Sequence, residues 1–510
     1  EYSDVIKPDI PAAKKGKKGL SAVVNSSDQG GELAWNVLRD TLHYAASLIP
    51  EISDDMRSVD AAMNTGFKWQ NGPFAMIDKL GADVFEARLE AEGKTVPDII
   101  KAAKGRKLYQ RQGGSMTQMT LNGTYEPIAT KDGVMTLDDV KRNTKPLIKG
   151  NSASLWDIGD GVVCLEFHSM LNMIDPSTLL TINNSIKLVE NSGGKYKAMV
   201  IHNDGKDFSA GANLPFAHLM LKSGMNSVIE GMIYFGQSIF NAMRLAPFPV
   251  VGAPQGRAFG GGAEVLLHCD AVQAHAETYM GLVEAGVGFI PGWNGIERYY
   301  ERAEADPATK GGPFPPVRRT FETILGDTIN SVSRSAQDAK KKLWLREGDG
   351  ISMNIERVLS DAKSKALELS EGYEPPQPRT YRMPGEGGRV ALDSAVEEFA
   401  AQGVLTTHDI LVASAGARAM TGGDAKNHTD MLTESDMAQA VRESFMSLVH
   451  TKGTKNRVAH MVKTNQVLRE DTMATTENLS ALRKAFDHVR LRKRDLGTEP
   501  LSGFDAVKLK

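Results

Sequence analysis

Val250–Gly295 reads VVGAPQGRAFGGGAEVLLHCDAVQAHAETYMGLVEAGVGFIPGWNG, and this stretch decides how the rest of the chain is interpreted. It opens on a short β-branched strand signal, and the triple glycine Gly260–Gly262 then leads into the start of a predicted helix. Glycine permits positive φ and lets a ligand approach the main chain, while a helix N-terminus presents free N–H groups and the positive end of its dipole. The pattern therefore favours the binding of an oxyanion.

Two glutamates lie in this stretch, 20 residues apart. Glu264 falls in the first turn of the predicted helix, beside the free N–H groups. Glu284 lies in a Gly/Ala/Val-rich approach to the turn Phe289–Gly292, an apolar setting that raises the pKa of a carboxyl group. Carboxyls in unlike surroundings can divide acid and base roles. Each feature also has an ordinary explanation, because glutamates at helix N-termini are commonly solvated and triple glycines commonly form tight turns.

A third segment upstream, HNDGKDFSAGANL (His202–Leu214), follows the apolar run Lys197–Ile201. It is typical of a strand end that continues into a loop, and the loop could place the N–H of Ala210 opposite that of Gly261. The segments DFSAGANL, GRAFGGGAEVLLHCD and GLVEAGVGFIPG resemble, in order and at similar spacing, the three active-site blocks of the crotonase (enoyl-CoA hydratase/isomerase) superfamily.

The resemblance implies a mixed α/β fold, a crotonase-like ββα spiral flanked by all-helical domains. It implies oxyanion-hole amides at Ala210 and Gly261 and catalytic carboxyls at Glu264 and Glu284. The positions that it implies for substrate binding are Ser209, Gly211, Ala212, Gly260, Gly262, Pro291 and Gly292. The chain departs from the family pattern at Asn213, where many members have aspartate, and at Trp293–Asn294, where a glycine-rich run is usual.

Because both glutamates are present, the resemblance favours addition of water to a 2-enoyl-CoA, which gives a 3-hydroxyacyl-CoA in fatty-acid β-oxidation. Which glutamate is the acid and which the base is left open. Two alternatives are an enoyl-CoA isomerase, which needs chiefly Glu284, and a non-catalytic subunit that binds acyl-CoA. This mechanism needs no metal and no cofactor in this chain, since CoA is part of the acyl-CoA thioester substrate.

Composition limits the other possibilities. The chain has 510 residues, a net charge of −3 and 41% hydrophobic residues, which suits a globular protein of several domains and gives no sign of nucleic-acid binding. It has no apolar run long enough for a membrane span. The only cysteines, Cys164 and Cys269, have no CxxC spacing and are predicted to be buried thiols in a cytoplasmic protein.

The N-terminal part resembles a second family. The segment VDAAMNTGFKWQNGPFAMIDKLG (Val59–Gly81) is similar to the helical C-terminal domain of 3-hydroxyacyl-CoA dehydrogenases, in which it links two helices. Phe67, Trp69 and Phe74 are predicted to fill the core between these helices. No GxGxxG follows a predicted strand, so we expect NAD to bind only to a dinucleotide-binding domain that would precede this chain.

The order of these parts resembles a bacterial class of bifunctional β-oxidation protein in which the dehydrogenase precedes the hydratase. That resemblance implies a homo-oligomer and a thiolase as a partner protein. The predicted division is a linker over 1–30, a helical dehydrogenase-like domain over 31–110, a linker over 111–150, the crotonase domain over 151–375, a helical domain over 385–470 and a helical tail over 471–510.

Overall fold

The structure, a computed structural model, describes residues 11–12, 16–112, 115–128, 133–326, 331–403, 405–425 and 427–468. The predicted tail over 471–510 lies outside these residues, as does most of the chain before Gly16. The described chain divides into two compact units, and the second begins at Gly133. No helix in these described ranges is both long and apolar enough to cross a membrane.

The first unit consists of six α-helices and a small antiparallel sheet within the described residues. The helices are α1 (Leu20–Val24), α2 (Gln29–Ser47), α3 (Met56–Gly66), α4 (Pro73–Leu80), α5 (Ala82–Ala91) and α6 (Asp98–Ala103). The strands are β1 (Tyr109–Gln112), β2 (Ser115–Met119) and β3 (Tyr125–Pro127), in the order β1-β2-β3. Val24 of α1 and Met119 of β2 both belong to the core of this unit. The predicted linkers over 1–30 and 111–150 are therefore wrong in part, because short elements with few apolar residues give weak sequence patterns.

The turn between α3 and α4 is organised by a buried aspartate. Asp60 accepts hydrogen bonds from the backbone N–H groups of Phe74 (2.8 Å) and Ala75 (3.0 Å), so it caps the first turn of α4. Phe74 is fully buried, as predicted. The same prediction for Phe67 is wrong: this side chain is 70% exposed, because it lies just past the end of α3.

The second unit is built on a main sheet of strands. The strands of this unit are β4 (Ile148–Lys149), β5 (Ala153–Asp157), β6 (Val162–Phe167), β7 (Ala198–Ile201), β8 (Val250–Gly252), β9 (Gly256–Phe259), β10 (Ala271–His275), β11 (Thr278–Gly281), β12 (Gly350–Ser352), β13 (Thr380–Arg382) and β14 (Met431–Thr433). The main sheet has the strand order β12-β10-β8-β7-β6-β5-β4 among the described residues. Strands β4, β5 and β6 pair antiparallel, and the pairs from β6 onward are parallel. Strands β9 and β11 pair in parallel as a separate small sheet.

Helices cover both faces of the main sheet. They are α7 (Leu137–Asn143), α8 (Pro176–Glu190), α9 (Leu214–Lys222), α10 (Asn226–Arg244), α11 (Gly261–Leu267), α12 (Gly295–Ala305), α13 (Phe314–Phe321), α14 (Ala336–Lys341), α15 (Val358–Ser370), α16 (Gly385–Ala401), α17 (Thr407–Met420), α18 (Glu434–Val449) and α19 (Lys452–Thr464). A 3-10 turn covers Glu284–Val287. The mixed α/β class is confirmed by this alternation of strands and helices.

Alternate residues of β6 face different cores, as the period of a strand requires. Val163 and Leu165 lie in the larger core, and Cys164 faces a smaller core that α15 closes. Both cysteines are buried free thiols, which confirms that prediction. The larger core also contains side chains of α16–α19, such as Val441. The predicted separate domain over 385–470 is therefore wrong, since these helices share their core with the sheet.

Candidate active site

The triple glycine forms the turn between β9 and α11. Gly260 has φ 52°, a conformation that favours glycine, and α11 begins at Gly261. The N–H of Gly261 therefore belongs to the first helical turn, where no intrahelical acceptor exists. All seven residues of α11 are buried, so this helix end is held within the body of the unit.

The loop after β7 packs directly against this turn. Ser209 pairs with Ala258 of β9: its N–H donates to Arg257 O (3.0 Å), and its carbonyl accepts from Phe259 N (3.0 Å). Gly211 has φ 91°, and a Cβ built there would lie 3.1 Å from the nitrogen of Gly261. The two glycine-containing segments predicted to meet are thus in contact.

The structure corrects one of the two predicted amides. The N–H of Ala210 donates to the carbonyl of Leu171 at 3.1 Å, so it is occupied within the fold. Two residues later, the nitrogen of Ala212 lies 3.4 Å from a Cβ built on Gly261. Neither Ala212 N–H nor Gly261 N–H has a recorded acceptor among the described residues. The two amides at this turn that are without an acceptor among the described residues are therefore those of Ala212 and Gly261.

Glu264 lies in the first turn of α11, as predicted, but it is not solvated. The residue is 2% exposed, and its Oε1 accepts hydrogen bonds from the backbone N–H groups of Trp293 (2.8 Å) and Gly295 (3.0 Å). A Cβ on Gly295 would lie 2.7 Å from Glu264 Cγ, so only glycine leaves room for this carboxyl group. Trp293 and Gly295 are site residues that the sequence interpretation missed. The only signal for them was the departure from the family pattern at Trp293–Asn294.

Glu284 begins the 3-10 turn after β11 and brings its carboxyl to the glycine turn. A Cβ on Gly260 would lie 2.9 Å from Glu284 Oε1. The other oxygen, Oε2, is buried and has no hydrogen-bond partner among the described residues. A buried carboxyl oxygen without a partner is costly when the group is ionised, so this environment favours the protonated form.

The two carboxyls influence each other. Burial raises the pKa of Glu264 well above its ordinary value, and the charge of Glu284 raises it further. Burial raises the pKa of Glu284 to about 7. Two groups that interact in this way titrate as a pair. The pair can hold one proton near neutral pH, which is the state required for one acid and one base.

The remaining predicted residues support the turn by packing. Ser209 Oγ donates to the carbonyl of Asn172 at 2.7 Å, and a Cβ on Gly262 would collide with Ser209 at 2.7 Å. Pro291 and Gly292 are buried, and the Gly292 carbonyl accepts from Gln237 Nε2 at 3.1 Å. These contacts place Ser209, Gly262 and Gly292 in the support of the site.

The part of the chain that the structure describes contains no group of three or more His, Cys, Asp or Glu side chains arranged to hold a metal ion. The chemistry that this arrangement offers is proton transfer by two carboxyls beside two free amides. A thioester oxygen that develops negative charge would suit those amides.

The chain is similar to several known proteins. Residues 157–309 match the family model described as enoyl-CoA hydratase/isomerase. A protein of Bacillus subtilis named as a 3-hydroxyacyl-CoA dehydrogenase is 34% identical over 477 residues, covering 92% of this chain and 59% of the relative. A fatty acid oxidation complex trifunctional enzyme of Rickettsia felis is 25% identical over 374 residues, covering 73% of this chain and 46% of the relative. The chain thus spans about half to three fifths of the length of these relatives.

Solved structures similar to this chain include an enoyl-CoA hydratase/isomerase from Mycobacterium paratuberculosis. Its TM-score is 0.41 at 15% identity, covering 61% of this chain and 99% of that one. An enoyl-CoA hydratase from Bacillus anthracis gives a TM-score of 0.34 at 19% identity, covering 62% of this chain and 98% of that one. The fold assignment rests on the strand order and the family match. Residues 157–309 of this chain thus carry its similarity to the enoyl-CoA hydratase/isomerase family, within a mixed α/β fold of the crotonase kind.

Proposed function

We propose that this chain adds water to 2-enoyl-CoA thioesters and forms 3-hydroxyacyl-CoA. The observation that carries the proposal is the placement of two buried carboxyls at one glycine turn. Glu264 belongs to the helix that the turn begins, and Glu284 approaches Gly260 from the opposite segment. The family match supports the substrate class, since the family is named for enzymes of enoyl-CoA.

The thioester carbonyl would accept hydrogen bonds from the N–H groups of Gly261 and Ala212. These donors stabilise the negative charge that develops on the oxygen when water adds to the β carbon. Loss of one such donor typically lowers the rate by about 10²–10³-fold. The donors are fixed before substrate arrives, because the turn and the loop are held against each other by the bonds of Ser209.

We assign the base role to Glu264 and the acid role to Glu284. The two N–H donors on Glu264 Oε1 favour its ionised form and oppose the burial and the Glu284 charge that raise its pKa, whereas Glu284 Oε2 lacks a partner among the described residues. Glu264 takes a proton from water as the water oxygen bonds to the β carbon. Glu284 then gives its proton to the α carbon, and the enolate collapses to the thioester. A later proton exchange between the two carboxyls restores the starting state.

The same proposal places hydration in fatty-acid β-oxidation, coupled to NAD-dependent oxidation of the 3-hydroxyacyl-CoA product by a dehydrogenase. The names of the Bacillus and Rickettsia relatives support this coupling. A dinucleotide-binding domain would be needed to hold NAD for that second step. Cytoplasmic location, assembly into a homo-oligomer and transfer of product to a thiolase are parts of the same proposal.

The test is loss of the conjugated thioester absorbance when the purified protein meets a short 2-enoyl-CoA without NAD. Glu264→Gln and Glu284→Gln should each lower the rate by about 10²–10⁴-fold, since each removes one proton-transfer group. Glu277→Gln is the control, because this glutamate is exposed on the loop before β11. If Glu264→Gln leaves much activity in a double-bond shift assay while Glu284→Gln abolishes it, the chain is an isomerase. Acyl-CoA binding without turnover would indicate a non-catalytic subunit.

A further inference from the structure

We propose that the C-terminal helices position Glu284, with Arg457 and Thr454 of α19 as the positioning residues. The inference rests on the proposed hydration and deepens it, because it assigns part of the catalytic geometry to residues about 170 positions away from the glutamate. The 3-10 turn at Glu284–Val287 packs against α19.

Arg457 fixes the residue next to Glu284. Its Nη1 donates to the carbonyl of Ala285 at 3.3 Å, and the side chain is 2% exposed. The other end of the guanidinium donates to Thr406 Oγ1 (3.0 Å) and to Asp409 Oδ1 (2.8 Å), at the start of α17. Hydrogen bonds between charged partners are stronger and shorter than neutral ones, so this arginine is held at both ends.

Thr454 fixes the end of the same turn. Its Oγ1 donates to the carbonyl of Gly288 at 2.8 Å and lies 3.0 Å from His408 Nε2. Gly288 has φ 84°, and a Cβ there would lie 2.9 Å from His408 Nε2 and 3.0 Å from Thr454 Cα. The backbone therefore approaches α17 and α19 as closely as a glycine permits.

A ring contact completes this support. Phe289 stacks on Phe445 of α18, with ring centroids 4.4 Å apart and planes 2° apart. Residues 285–289 are thus held by the guanidinium of Arg457 and the hydroxyl of Thr454, both on α19, and by the ring of Phe445 on α18.

These contacts control position because Glu284 has little to hold its own side chain. Its Oε2 has no partner among the described residues, so the carboxyl group goes where the backbone of the turn places it. Misplacement of a catalytic group by about 1 Å can lower a rate about 10²-fold. Loosening the Ala285 or Gly288 carbonyl would shift Glu284 relative to Gly260 and leave the amides of Ala212 and Gly261 in place.

The experiment compares Thr454→Val, which loses the hydroxyl at nearly constant volume, with Thr454→Ser, which keeps it. We expect Thr454→Val to lower kcat about 10-fold or more with little change in KM, and Thr454→Ser to restore most of the rate. Arg457→Met should lower kcat further. Arg457→Lys should restore kcat only in part, because lysine lacks the planar guanidinium that donates to several acceptors at once. Thr464→Val, at an exposed position near the end of α19, is the matched control.

The pH profile separates positioning from general loosening. Displacement of Glu284 changes its burial, so the rising limb of the rate against pH should move in Thr454→Val and stay fixed in Thr464→Val. Unchanged kcat and pH profile in folded Thr454→Val, with Glu284→Gln inactive, would overturn this inference and leave hydration standing. A wild-type chain without hydration would instead overturn the proposed function. If Arg457→Met fails to fold, the comparison of Thr454→Val with Thr454→Ser still tests the inference.

Discussion

Gly295→Ala should displace the Glu264 carboxyl without disturbing the helix that carries the mutation. Gly295 is the first residue of α12 and does not have positive φ, so alanine suits its backbone. The added Cβ would lie 2.7 Å from Glu264 Cγ and 2.8 Å from its Oε1. Carbon atoms pack best at about 3.5–4.0 Å, so Cγ must retreat by about 1 Å.

That movement fixes the expected size of the effect. A displacement of about 1 Å can cost about 10²-fold in rate, which corresponds to about 2.7 kcal/mol of activation free energy. Overpacking in a tight core also lowers the free energy of unfolding by about 1–3 kcal/mol. The rate should therefore fall even in the fully folded variant, because the bonds from Trp293 N and Gly295 N cannot both be kept.

The assay measures kcat and KM for hydration of a short 2-enoyl-CoA at a temperature well below the melting transition of the variant. Gly387→Ala is the matched control, since Gly387 lies exposed in α16 and a Cβ there meets nothing within 4 Å. A Gly295→Ala variant that folds and keeps full kcat would refute the role given to Glu264. Equal losses in both variants would point to a general effect of alanine.

Three further predictions follow from burial. The rate of hydration should rise with pH through about 7, because the coupled carboxyls of Glu264 and Glu284 must lose one proton between them before one can act as the base, and burial raises the pKa of Glu284 to about 7. A flat kcat/KM between pH 5 and 8 would contradict this. Glu297 is 2% exposed with both carboxyl oxygens unpartnered among the described residues, and burial raises its pKa to about 7. The folded state therefore binds the proton of Glu297 more tightly than the unfolded chain does, so the free energy of unfolding should fall as pH rises from about 4.5 to about 7. Denaturant titrations should show a weaker pH dependence in Glu297→Gln. Phe74→Ala should lower the free energy of unfolding of the first unit by about 3–5 kcal/mol in urea unfolding, whereas Phe67→Ala should change it little, since Phe67 is 70% exposed.

Local sequence patterns were sufficient for the parts of the site that lie close together along the chain. The triple glycine predicted a turn that begins a helix, and Glu264 follows from it at a fixed offset of one turn. Glu284 was recognisable from its apolar approach and from the family motif. Free thiols at Cys164 and Cys269 followed from their apolar neighbours. Each of these features depends on residues within a few positions of one another, where backbone geometry limits the outcome.

Tertiary structure decided which groups face the site. Ala210 and Ala212 lie in the same loop and look equivalent in sequence, but the carbonyl of Leu171 takes the first N–H, and the second is beside Gly261. The donors to Glu264 come from the backbone N–H groups of Trp293 and Gly295, for which the departure from the family pattern at Trp293–Asn294 was the only sequence signal.

The sequence by itself determined the groups on which the proposed chemistry rests, since residue types at short spacing specify a glycine turn and two carboxyls. Only the folded chain determined the placement of that chemistry, because contacts such as Arg457 with the carbonyl of Ala285 join segments far apart in sequence. The physical reason is that backbone amides and carbonyls are common to every residue. The role of each amide or carbonyl depends on which group hydrogen-bonds to it in the folded chain, and the packing of helices distant in sequence determines that partner.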